Sequence, residues 1–419
     1  MIWIKPDRPW AMLPKKRPAS EGTMEIKAVF PPKGRDLRLD LLRGIANWAI
    51  FLNHMPNNAV NWITTRNYGF SDGADLFVYI SGYTAALVFG RMMRDYGFVI
   101  GATRLWRRVW QLYLAHVIVL VVYLAVVGYV AFRFQLENIV HQFNTAWFGV
   151  RPFATLLEGL LLRFKPLNLD VLPLYIVLMA VFPFVLWIML RRPNLSMLAS
   201  LVLYFAARHF GWNLAAYPEG TWFFNPFCWQ FLFCLGAWSA LGGGIKVQPI
   251  VTSQWLVYLG FGYLLFALIM TLAGPFETIR EAMPAWLYDA FNPNDKTNLA
   301  PYRALHFVVI VLLVTRFLPK DWKGLEWPIF DPLITCGQQS LRVFCVGVFL
   351  SFLGYFLLTI SSGTFLVQVL ISAAGIAILC GFAYYGNWSK NVDKIVKRPP
   401  KGDPTGANAA HAAGPLTRR

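Results

Sequence analysis

Arg43 and His54 lie eleven residues apart on one apolar segment, Asp40-Leu-Leu-Arg43-Gly44-Ile-Ala-Asn47-Trp-Ala-Ile-Phe-Leu-Asn53-His54. In a helix, that spacing returns to within roughly 20° of the same face and advances about 16 Å. Asp40, Arg43, Asn47 and His54 then form one polar stripe. An ionisable side chain inside a membrane span costs at least a few kcal/mol and is usually retained for a site or a pathway. The alternative is a buried ion pair that only holds helices together. A second group opens the next apolar segment, Ser71-Asp72-Gly73-Ala74-Asp75-Leu76-Phe77 through Ser81-Gly82-Tyr83. Asp75 falls about one turn inside it, level with His54. A carboxylate at the level of an imidazole can hold its tautomer and raise its basicity, as in the orienting half of a hydrolase triad. Asp75 also suits a helix N-terminus as a cap or first-turn acid. Ser81 and Gly82 read as a helix-packing surface.

Three more segments bring polar groups to the same depth. Pro301-Tyr302-Arg303-Ala-Leu-His306 puts Arg303 and His306 three apart on one helical face. Asn168-Leu-Asp170 and Phe224-Asn225-Pro226 through Gln230 begin two further apolar runs. Asp170, Asn225, Gln230, Arg303 and His306 are therefore candidate binding residues around one polar cavity. At the opposite depth, Arg104-Leu-Trp-Arg107-Arg108 could pair with the phosphates of a nucleotide-like donor. It is equally an ordinary cytoplasmic flank. The five cysteines form no CxxC pair, so they read as small buried hydrophobes and no metal site is expected.

The elements that must position these groups are membrane helices. The chain is 57% hydrophobic and 14% charged, against about 25% charged in soluble domains. Its mean hydropathy is +0.48. Apolar stretches close to the 20 or so residues that a bilayer requires recur near 39–57, 72–93, 108–132, 169–190, 196–209, 224–243, 253–274, 300–318, 335–359 and 364–387. The expected fold is an all-α polytopic membrane protein, a single bundle of about ten transmembrane helices. The net charge of +17 does not imply nucleic acid. With both termini cytoplasmic, the inner segments hold 27 lysines and arginines and the outer ones about 9, which is the positive-inside pattern. The charge sets topology and meets membrane lipid. Residues 1–34 read as a basic, loosely ordered cytoplasmic tail, 35–389 as the transmembrane domain, and 390–419 as a disordered cytoplasmic tail. No cleaved signal peptide is evident. Two long outer connections, 133–168 and 275–299, could shape a substrate groove. The first includes an expected amphipathic helix over Phe153-Ala-Thr-Leu-Leu-Glu158 to Phe164.

These residues resemble a known family. Arg43, ten residues, then His54, with Gly73-Ala-Asp75-Leu-Phe77 and Ser81-Gly82-Tyr83, is similar to the first two spans of the membrane-bound acyltransferase-3 superfamily. The OpgC branch resembles this chain further in Arg35-Asp36-Leu-Arg38-Leu-Asp40, Asn53-His54-Met-Pro56, Gly69-Phe70-Ser71-Asp72, Leu172-Pro173-Leu-Tyr175, Lys296-Thr-Asn298 and Gly337-Gln-Gln-Ser340-Leu341. The likeness spans about residues 35–388. It implies an O-succinyltransferase of the bacterial inner membrane, acting on osmoregulated periplasmic glucans, with succinyl-CoA as donor substrate and no permanently bound cofactor. His54 would be the general base, typically worth about 10²–10⁴-fold, and Asp75 would orient it. Arg43 would hold the donor's pantetheine or carbonyl, or brace the bundle. Arg303 would pair with the succinyl carboxylate. Related branches transfer acetyl groups to surface sugars, and a homo-oligomer is compatible with the family. A transporter or flippase would also place charges in spans, but no inverted repeat or matched pair of broken helices is visible. A purely structural role leaves His54 unexplained.

Overall fold

The computed structural model describes residues 26–32 and 34–396. Ten long helices coincide with the ten apolar stretches: α1 (Leu37–Asn53), α2 (Gly73–Tyr96), α3 (Phe98–Phe134), α4 (Val171–Arg191), α5 (Pro193–Phe210), α6 (Pro226–Trp238), α7 (Gln254–Leu272), α8 (Pro301–Phe317), α9 (Ser340–Ile360) and α10 (Phe365–Val396). Among the described residues, seven runs are long and apolar enough to cross a membrane: α2, α3, α4, α7, α9, the α10 stretch, and α6 continued to Lys246. Helices α1 and α8 are 17 residues each, and α5 is 18. The chain is a multi-pass membrane protein. Large apolar side chains such as Ile118, Phe132, Trp255 and Leu259 point outward from α3 and α7, as lipid-facing surfaces do.

Backbone contact between helices fixes the centre. A Cβ on Gly82 of α2 would lie 1.9 Å from the Phe233 carbonyl oxygen of α6, and one on Gly236 of α6 would lie 2.0 Å from that of Tyr79. Gly44 of α1 and Gly337 of the short helix Asp331–Gln338 meet in the same reciprocal way, with 1.9 and 1.8 Å to the Leu333 and Asp40 oxygens. Small residues let helix backbones approach where lipid offers no hydrophobic drive to pack. The first crossing sets α2 against α6, and the second sets α1 against the short helix that precedes α9.

Three details depart from expectation. The 224–243 stretch breaks at residues 239–243, where Gly242 takes φ +105 beside two more glycines, a conformation that only glycine adopts freely. Residues 27–29, assigned to the N-terminal tail, donate backbone hydrogen bonds to Leu190 and Leu241, and Phe30 lies under Arg94 at 4.6 Å. Helix α10 runs past residue 389 to Val396. The remainder of both tails, residues 1–25 and 397–419, lies outside the described residues. In the first long connection, Pro152–Leu160 is helical, with Thr155 and Gly159 buried and Phe153 89% exposed, which is the expected amphipathic arrangement.

Candidate active site

At one end of the bundle a cavity of about 720 Å³ opens between the C-terminal end of α1, the 66–72 loop, the start of α4 and the 291–297 loop. His54 lines it as the residue that ends α1. Its N–H donates to the Ile50 carbonyl, and its own carbonyl accepts from Asn168 Nδ2 at 3.1 Å. Its imidazole Nδ1 is buried with no hydrogen-bond partner.

The Ser-Asp-Gly-Ala-Asp sequence at the start of α2 folds as a capping box. Asp72 accepts from the Ala74 N–H, and Asp75 Oδ2 accepts from the Asp72 N–H, each at 2.8 Å. Asp75 is wholly buried, and Arg303 of α8 grips it through two nitrogens, Nε at 3.1 Å and Nη2. Arg303 Nη1 donates to the Phe70 carbonyl at 2.6 Å, while Lys296 Nζ sits 2.6 Å from Asp72. Two acids and two cations thus neutralise one another. Burial pushes the Asp72 carboxyl upward, but Lys296 and Arg303 outweigh it and hold the group below the usual carboxylate range.

This geometry corrects two expectations. Asp75 does not orient His54, because a guanidinium and a backbone amide occupy both its oxygens. Arg303 is not free to take a substrate carboxylate, because Asp75 and Asp72 already do. The two residues expected on one face of α8 do share it. His306 is 3% exposed, its Nδ1 lies 2.8 Å from Ser71 Oγ, and its ring packs against Phe70, with Gly69 so close that a Cβ would fall 2.4 Å from Nε2. His306 stands behind the cavity wall, and Ser71 is the part exposed to the cavity.

Asp170 lines the cavity at the residue before α4. Burial raises its carboxyl to about 6, with Lys165 as opposing charge. Burial also lowers the Lys165 ammonium to about 8, and that ammonium lies 3.8 Å over the Trp222 ring. Asn225 and Gln230 do not line the cavity. Asn225 caps α6 and donates to Trp212 and Asn298, while Gln230 pairs with Ser200 of α5. Both brace the wall. Arg66, Asp72 and Lys296 were not singled out as site residues beforehand. Arg66 lines the cavity, and its charge acts on His54. Among the described residues it has no acidic partner. Asp72 and Lys296 fall in stretches that resemble the OpgC branch, whereas nothing in the local sequence marks Arg66.

Arg43 belongs to a second cavity, of about 290 Å³, toward the other end of the bundle. Its Nη2 donates to Thr84 Oγ1 at 2.5 Å. Arg108, Arg342 and Lys390 join it in the lining, and among the described residues no Asp or Glu does. The stripe on α1 is therefore divided: Arg43 bonds α2, Asn47 bonds Ser340 of α9, and Asp40 bonds Arg35.

The family model described as OpgC protein matches residues 35–391. The chain belongs to the OpgC family. Neither a curated protein nor a solved structure matches it. OpgC membership carries an acyltransferase role. The two cavities, one on each side of the α1 helix's length, are the sites where such a role can be sought.

Proposed function

We propose that this protein is an integral-membrane O-acyltransferase that moves a succinyl group from succinyl-CoA onto hydroxyls of osmoregulated periplasmic glucans. In this reading it lies in a bacterial inner membrane, with ten spans and both termini cytoplasmic. The observation that carries it is the pair of cavities joined by α1. Arg43 lies in one that Arg108, Arg342 and Lys390 also line, and His54 lines one with mixed polar walls. Arginine and lysine clusters recognise phosphates, so the Arg43 cavity receives the phosphate-bearing donor, with Arg108 from the basic stretch beside it. The wider cavity receives the sugar.

In the reaction, a sugar hydroxyl oxygen attacks the thioester carbonyl carbon. His54 takes the hydroxyl proton as that bond forms, the carbon–sulfur bond breaks, and the thiolate leaves with the donor. An imidazole acting this way must be neutral at the start. A buried Nδ1 with no hydrogen-bond partner favours the neutral ring, because no acceptor holds a second ring proton. Arg303 and Lys296 do not bind the acyl chain in this scheme. With Asp72 and Asp75 they hold the α2 end and the 291–297 loop in place around it. A succinyl carboxylate needs its own cation, and Arg66 is the cavity residue whose charge is uncompensated.

The direct test is the mass and charge of periplasmic glucans from cells with the wild-type protein, with none, and with His54→Ala. We expect one succinyl unit of added mass per modified site only with the wild type. Modified glucans from a well-expressed His54→Ala protein would refute the base assignment. Unmodified glucans with an altered location would point to transport instead.

A further inference from the structure

A third cavity, of about 370 Å³, adjoins the His54 cavity, and Asp170 and Phe223 line both. Two connections build it, residues 144–165 and 216–223, and they are tied together before any ligand arrives. Asn144 Nδ2 donates to the Lys165 carbonyl at 2.8 Å, and the Tyr217 N–H donates to the Arg163 carbonyl at 3.1 Å. Tyr217 is fixed between the edges of Trp147 and Phe164, each with ring centroids 6.4 Å away. The cavity thus presents the rings of Trp147, Tyr217 and Phe223, with donors and acceptors from Asn144, Arg163 and Glu219 between them.

Its charge separates it from the Arg43 cavity. Its lining holds two cations, Arg163 and Lys165, and two acids, Asp170 and Glu219, whereas Arg43, Arg108, Arg342 and Lys390 line the Arg43 cavity. A balanced wall does not select an anion. Aromatic faces interleaved with hydrogen-bonding groups suit a neutral ring that is apolar on its faces and hydroxylated at its rim, which describes a pyranose. The volume falls within the range of roughly 300–1,000 Å³ usual for small-molecule sites.

We infer that this cavity is a second sugar subsite: while one pyranose unit offers a hydroxyl to His54, the neighbouring unit of the same chain rests among Trp147, Tyr217 and Phe223, with the strand passing Asp170. The inference rests on the acyltransferase reading for its first unit and adds the requirement for a second. Chain acceptors are then preferred over single sugars because they fill both cavities.

The test is calorimetric titration of the intact, detergent-solubilised protein with methyl glucoside and with glucose oligosaccharides of two to six units, of either anomeric linkage, alongside succinyl transfer to the same compounds. We expect affinity to rise about tenfold when a second unit is present, the size of one good aromatic contact. Trp147→Ala should bring the oligosaccharides down to the single-unit affinity, and Glu219→Gln, a change at an exposed loop position, should lower them in the same direction by less. Equal affinity for one and several units in the wild type would overturn the subsite, as would a length preference that survives both substitutions. Length-dependent binding without any transfer would uphold the subsite and refute the transferase reading instead. Transfer without length-dependent binding would do the reverse.

Discussion

At Arg303 one guanidinium holds Asp75, Asp72 and the Phe70 carbonyl together, so removing it strands a carboxylate that is wholly buried. Breaking a buried pair from one side costs about 3–5 kcal/mol. Arg303→Leu should therefore lower the thermal unfolding midpoint in detergent, and adding Asp75→Asn should recover part of that loss through their coupling. Unchanged unfolding with lost activity would instead make Arg303 a substrate contact. Arg66 makes the opposite forecast. Arg66→Gln should leave the midpoint in place, weaken succinyl transfer about tenfold, one lost charge contact's worth, and spare transfer of an uncharged acetyl group. Equal loss with both donors would remove Arg66 from acyl recognition. The chemistry-bearing residue types were legible from their spacing, but their pairings were not. The spacing makes Asp75 a candidate partner of His54, whereas its actual partner, Arg303, lies 228 positions away in the chain. Local sequence contains no signal for which of several cations will reach a given acid.

The helices were the most legible level, because a bilayer demands apolar runs near 20 residues whatever the tertiary contacts. All ten long helices fall on the expected stretches, and Arg303 and His306 share a face as three-residue spacing requires. Less visible were the crossings, since a glycine in an apolar run looks the same whether it meets another backbone or lipid. Structure separates the two cases. Gly82→Val should abolish monodisperse protein in detergent, because its Cβ would meet the Phe233 carbonyl at 1.9 Å. Gly128→Val on α3 should be tolerated, as nothing lies within 4 Å of that position. Comparable yields on size-exclusion chromatography would show that the α2–α6 crossing is not backbone-tight. The break at residues 239–243 has the same origin: three adjacent glycines permit a φ that an apolar pattern does not announce.

Across the whole molecule, the cation-lined cavity at Arg43 and the mixed cavity at His54 lie at different levels of α1, about 16 Å apart along its axis. If the donor enters one and the acceptor the other, the enzyme joins two substrates that never share a compartment. In the proposed topology, with both termini cytoplasmic, the Arg43 level faces inside and the His54 level faces outside. Reconstitution into sealed vesicles of known orientation tests this most directly, with succinyl-CoA confined to one face and a periplasmic glucan to the other, and succinyl-glucan measured by mass. Product is expected when the donor is on the Arg43 face and the acceptor on the His54 face, and none when the two are exchanged. Product that forms only when donor and acceptor share one face would contradict it.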